Sequence, residues 1–159
     1  MADGGLVRTL GRFVTWLTTL LQPVCALLTR LVLGEAFILT GLGKWKHFDQ
    51  TVSFFGSLGI PVPRANAAFV ATLELVGGAC LILGLGTRIF SLLLSATLVV
   101  ALLTADREGL LAALDPSAEK GLMDIAALVF LMISLWLATF GAGPISVDKI
   151  LARRTERPV

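Results

Sequence analysis

Polar and reactive side chains are scarce in this chain, and each scarcity closes off a class of function. Charged residues make up only 15% of the 159 residues, where a water-soluble globular chain carries roughly a quarter. A soluble surface of this size could not be kept wet. There is one histidine, His47, and there are two cysteines, Cys25 and Cys80, far apart and both inside apolar runs. Neither CxxC nor any metal-ligand spacing is present, so the sequence encodes no zinc site, no haem site and no disulfide-stapled secreted fold. The net charge is only +2, and no basic cluster alternates with aromatics, which sets nucleic-acid binding aside.

What remains is apolar. Hydrophobic residues make up 56%, the mean hydropathy is +0.88, and the apolar residues fall in long runs. A membrane-crossing helix needs about 20 mostly apolar residues. Four segments meet that test, at 23–43, 65–83, 87–105 and 121–140. The composition and the runs predict an all-α integral membrane protein, a bundle of four transmembrane helices. Pro23 suits an opening turn, and the pair Pro61 and Pro63 separates the first two spans. Gly84-Leu85-Gly86-Thr87 makes a tight hairpin between the second and third spans, with Thr87 the expected N-cap. Gly141-Ala142-Gly143-Pro144 closes the fourth.

Residues 1–22 place Arg8, Arg12, Thr15 and Thr19 on one side and Leu6, Leu10, Phe13 and Leu17 mostly on the other. That pattern predicts an interfacial amphipathic helix retained ahead of the bundle rather than a cleaved leader. In the first connection Phe48, Val52 and Phe55 recur at helical spacing and predict a second, short interfacial helix. Trp45 and His47 suit the same headgroup level. The third connection is charged and turns at Asp115-Pro116. Residues 144–159 form a basic tail. One side of the expected topology holds Arg8, Arg12, Arg88, Lys149, Arg153, Arg154 and Arg157; the other holds Lys44, Lys46, Arg64, Arg107 and Lys120. The richer side should be cytoplasmic, with both termini inside.

Four charges stand inside the expected spans: Arg30 and Glu35 in the first, Glu74 in the second and Asp124 in the fourth. Each costs ~2.5–3.5 kcal/mol on insertion scales and is a functional suspect. Glu35 and Glu74 fall near the midplane, and Lys44 closes the first span at a level Asp124 shares. Arg30, Gly34, Phe37, Gly41 and Lys44 form one stripe, with Glu35 pointing elsewhere. Glu74, Gly77 and Gly78 form another. Packing these glycine-lined faces together puts Glu74 near the first stripe. One reading makes the charges internal glue, Glu74 with Arg30 and Asp124 with Lys44. The other makes a midplane carboxylate beside a cation a binding or proton-relay site, suited to a quinone carbonyl or a small anion.

In order and spacing, Arg30-x3-Gly34-x6-Gly41-x2-Lys44, Phe54-Phe55, Gly59-Ile60-Pro61-Val62-Pro63, Glu74-x2-Gly77-Gly78 and Gly84-Leu85-Gly86-Thr87-Arg88 resemble the DoxX family of small four-helix bacterial membrane proteins. The resemblance covers about residues 27–105. It implies a bacterial cytoplasmic membrane and an association with redox chemistry, since a DoxX-like subunit belongs to an archaeal thiosulfate–quinone oxidoreductase and other members associate with oxidative-stress enzymes. It carries over Arg30, Lys44, Glu74 and Arg88; Glu35 and Asp124 rest on the residue reading alone. The four-helix shape is also similar to the thiol–quinone reductases of the vitamin K epoxide type, whose CxxC this chain lacks.

The leading expectation is a DoxX-like subunit that serves a membrane redox process and binds a quinone or small anion between the first two spans. In it Glu74 and Arg30 form the polar core, and Lys44 with Asp124 the outer gate. Its partners are the lipid bilayer and other membrane or membrane-associated redox proteins, with a homo-oligomer allowed. The alternative is a non-catalytic accessory subunit of a larger complex. A small-solute transporter fits less well, because four helices without a repeat leave little room for alternating access unless the protein oligomerises.

Overall fold

A computed structural model describes residues 3–115 and 121–155. Every regular element in them is a helix: α1 Asp3–Lys46, α2 Phe48–Ser57, α3 Pro63–Leu83, α4 Thr87–Leu103, α5 Arg107–Ala112, a 3₁₀ turn Leu122–Asp124, α6 Ala126–Phe140 and α7 Val147–Thr155. Pro116 and Lys120, part of the expected third connection, and Arg157 of the tail lie outside the described residues.

Helix α1 corrects the expected boundary at Pro23. The lead-in and the first span form one helix of 44 residues with Pro23 inside it. Proline removes one N–H from the ladder, and the helix runs on through it at the loss of that one bond. At 1.5 Å per residue the helix is ~66 Å long. Only its second half is packed: no residue from Leu10 to Cys25 is buried, and Ala26 is the first that is.

Two stretches are long and apolar enough to cross a membrane, Leu10–Lys46 within α1 and the whole of α3. Helices α4 and α6 are apolar but shorter, at 17 and 15 residues. The fourth predicted span loses its first turn to the 3₁₀ segment, because Asp124 folds back on Gly121. Helix α1 packs chiefly on α3 and α4 chiefly on α6, with α3 touching α4 and α1 touching α6. Leu33, Phe37, Leu81, Leu94, Leu98 and Leu137 form the core where they meet. Outward-facing positions such as Val32, Phe69, Ile89, Met132 and Phe140 are apolar and exposed, the reverse of a water-soluble surface.

The α1–α3 crossing is set by glycine. A methyl group at Gly34 would stand 2.7 Å from the Gly78 carbonyl oxygen, and one at Gly78 would stand 2.6 Å from that of Gly34. At Gly41 it would stand 2.8 Å from the Ala71 oxygen. Backbone therefore lies on backbone at two levels, the small-residue packing expected of helices in lipid. This antiparallel register fixes which polar groups can meet.

Candidate functional site

The register puts Glu74 beside Gly41, whose added side-chain carbon would meet Glu74 Cβ at 3.2 Å. Lys44, one turn further along α1, reaches back, and its Nζ donates to Glu74 Oε2 at 2.6 Å. The Glu74 side chain is 9% exposed and that of Lys44 26%. The ion pair opens onto a cavity of about 440 Å³ between α2, α3 and α4. Phe55, Ile60, Phe69, Leu73 and Leu93 make its walls apolar, and Asn66 and Thr97 add polar groups. Asn66 is held in place by donating to the Pro61 carbonyl at 2.6 Å. Helix α2, the short helix predicted from Phe48, Val52 and Phe55, closes one side. Trp45 stacks on Phe48 with ring centroids 5.1 Å apart, and the Arg64 guanidinium lies 5.5 Å from the Phe48 centroid.

Arg30 belongs to the opposite end. With Gly34 against Gly78, Arg30 falls level with the end of α3, about 12 Å along the axis from Glu74. The expected Arg30–Glu74 pair is therefore corrected to Lys44–Glu74. Arg30 is 1% exposed; Nη1 donates to the Ala142 carbonyl at 2.7 Å and Nη2 to that of Ile145 at 2.8 Å. These bonds tie the loop after α6 to the middle of α1. The same loop leads into Asp148, which lies within electrostatic range of Arg30.

Asp148 is the residue that sequence reasoning missed. Its Oδ1 accepts from Gly86 N at 2.8 Å, its Oδ2 accepts from Thr87 N at 3.2 Å, and its own N–H donates to the Gly84 carbonyl at 3.0 Å. It caps α4 from the far end of the chain, the role assigned to Thr87. Gly86 takes the N-cap position in a left-handed conformation, and Thr87, now the first helical residue, is fully buried. A local capping signal was read where the cap is supplied across 61 residues, and nothing in a single sequence marks that pairing.

The expected Asp124–Lys44 gate is corrected as well. Asp124 is exposed, and its Oδ2 accepts from Gly121 N at 2.8 Å, so it starts the 3₁₀ turn while Lys44 is engaged by Glu74. Glu35 is exposed on the outer face of α1, in line with Leu28, Val32 and Leu39. Arg88 is exposed beside Gly141. Of the six candidates, the structure pairs Lys44 with Glu74, while Arg30 and Arg88 both lie at the other end against the loop after α6.

The family model described as DoxX matches residues 25–107, a stretch that holds both α1–α3 glycine contacts, the Lys44–Glu74 pair, Arg30 and Arg88. This chain belongs to the DoxX family. Among its DoxX relatives, "Putative oxidoreductase CatD" of Bacillus subtilis (strain 168) is 40% identical over 78 residues, 49% of this chain and 57% of CatD. "Inner membrane protein YphA" of Escherichia coli (strain K12) is 34% identical over 67 residues, 42% of this chain and 48% of YphA. In both, the match spans about half of the relative's length. "Uncharacterized membrane protein Rv3486" of Mycobacterium tuberculosis (strain ATCC 25618 / H37Rv) is 28% identical over 144 residues, 83% of this chain and 84% of that protein. No solved structure matches the chain. The DoxX match ends before Asp124 and Asp148, so the C-terminal clamp is a feature of this chain read from its own fold.

Proposed function

We propose that this DoxX protein is the quinone-binding membrane subunit of a redox process, and that the cavity beside Lys44 and Glu74 takes the quinone ring. The observation that carries this is a largely buried ion pair opening onto an apolar cavity whose volume lies within the ~300–1,000 Å³ usual for small-molecule sites. A quinone matches both parts. Lys44 keeps N–H donors beyond the one given to Glu74 and would donate to a ring carbonyl, while Glu74 holds the ammonium in place; the two protons that accompany two-electron reduction to a quinol would come from water. The walls take the ring and the start of its tail, and a partner protein supplies electrons. The name of the relative CatD supports the redox half of the reading. In the same reading α1, α3, α4 and α6 all cross the bacterial inner membrane, with both termini cytoplasmic.

In a variant that keeps Trp45 as the lone tryptophan, a short-tailed benzoquinone should quench its fluorescence saturably, because Trp45 adjoins Lys44. Glu74→Gln and Lys44→Met should each weaken that binding about 10- to 100-fold, the range for losing a hydrogen bond to a charged group. Quenching that neither variant changes would sink the proposal.

Glu35 favours a second reading, an accessory subunit of a larger complex. A carboxylate on an outward apolar stripe is costly against lipid and is relieved by a polar group on a neighbouring membrane protein. Here purification in mild detergent should recover the chain in a stoichiometric complex, and Glu35→Leu should release it. A monomer in native extracts would count against this role.

A further inference from the structure

At the α3–α4 turn, the end of the bundle remote from Glu74, lies a groove of about 710 Å³ between the start of α4, the loop after α6 and α7. Its floor is fixed twice, by Arg30 on the Ala142 and Ile145 carbonyls and by Asp148 on the turn. Two cations flank it, Arg88 and Lys149, both exposed and, among the described residues, in no ion pair. Gly141 lets the Arg88 side chain lie flat across the loop: its φ is +79°, and an added carbon would stand 3.1 Å from Arg88 Nε. The acid in the groove, Asp148, has each oxygen engaged by a backbone N–H and its charge is offset by buried Arg30 within electrostatic range, so the two cations keep an excess of positive charge. Next to these cations Ile89 and Phe140, each 64% exposed, form an apolar wall on the outer side of α4 and α6.

Positive charge at a helix-hairpin turn, continuous with exposed apolar surface along the helices, is complementary to a phosphate that carries acyl chains. We propose that this groove holds the headgroup of one anionic phospholipid, its phosphate between Arg88 and Lys149 and its first acyl carbons against Ile89 and Phe140. The site depends on the membrane placement of the DoxX fold and is independent of the Lys44–Glu74 cavity.

The test is native mass spectrometry of the full chain from nanodiscs of phosphatidylcholine with a minor fraction of phosphatidylglycerol. The wild type should retain phosphatidylglycerol selectively. Arg88→Gln with Lys149→Gln should lower that selectivity about thirtyfold, as expected for two basic groups at a lipid phosphate. The exchange R88K/K149R, which keeps both charges, should retain it, and so should Glu74→Gln, which separates this site from the quinone reading. Equal retention by the doubly neutralised variant overturns the proposal. So does equal retention of both lipids by the wild type, or full displacement by millimolar inorganic phosphate, which would make it a free-anion site.

Discussion

Arg30→Met should unfold the bundle at a much lower fraction of sodium dodecyl sulfate than the wild type, with a loss of about 3–5 kcal/mol. Methionine fills similar space and removes the charge, so the loss reports hydrogen bonding rather than a cavity. Two carbonyls, that of buried Ala142 and that of Ile145 in the loop beside it, lose their donors at once, and the Ala142 carbonyl has no water to turn to. Asp148 also loses a cation within electrostatic range. Arg30→Lys should recover only part of the loss, because one ammonium on a shorter reach cannot serve two carbonyls as a planar guanidinium does. Unchanged detergent resistance of Arg30→Met would show that the clamp does not hold the fold.

Gly78→Leu should cost about 3 kcal/mol, at the upper end of the range for overpacking. The atom a side chain meets there is the Gly34 carbonyl oxygen, 2.6 Å from the first added carbon. A backbone oxygen has no rotamer to change, so α1 and α3 must part along the crossing. Parting them also draws Lys44 away from Glu74, and the variant should lose quinone quenching together with stability. The alanine pair Gly34→Ala with Gly78→Ala should cost less than the sum of its parts, since the gap opened by one methyl admits the other. Strict additivity in equilibrium unfolding would mean that the two glycines do not share one contact.

What could be read from the sequence was whatever repeats at helical spacing or is marked by a breaker. The stripe through Gly34, Gly41 and Lys44 and the face of Glu74 and Gly78 were legible because residues three and four apart share a helix side, and the structure packs those faces together. Their register was not legible. Sliding two glycine-lined helices by two turns keeps small residues in contact while exchanging Arg30 for Lys44 as the partner of Glu74, and only the finished packing decides between them. Pro23 misled because a proline costs a helix one N–H, which marks a place where a helix can start without requiring that it does. Asp148 could not be found at all: as a side chain it is one acid in a polar tail, and its role exists only once the tail returns to the α3–α4 turn.

That return has a consequence for how the protein is made. The acceptors for Arg30 lie 112 and 115 residues further along the chain, so when α1 leaves the ribosome its guanidinium has nothing of its own to bind. At synthesis speeds of ~5–20 residues per second, the wait lasts roughly 6 to 23 seconds. Throughout it a permanent cation must be sheltered by water in the insertion channel, by lipid phosphates or by a chaperone. A chain cut short before Ala142 never ends that wait, and keeps a bare arginine where the complete chain has a hydrogen-bonded one.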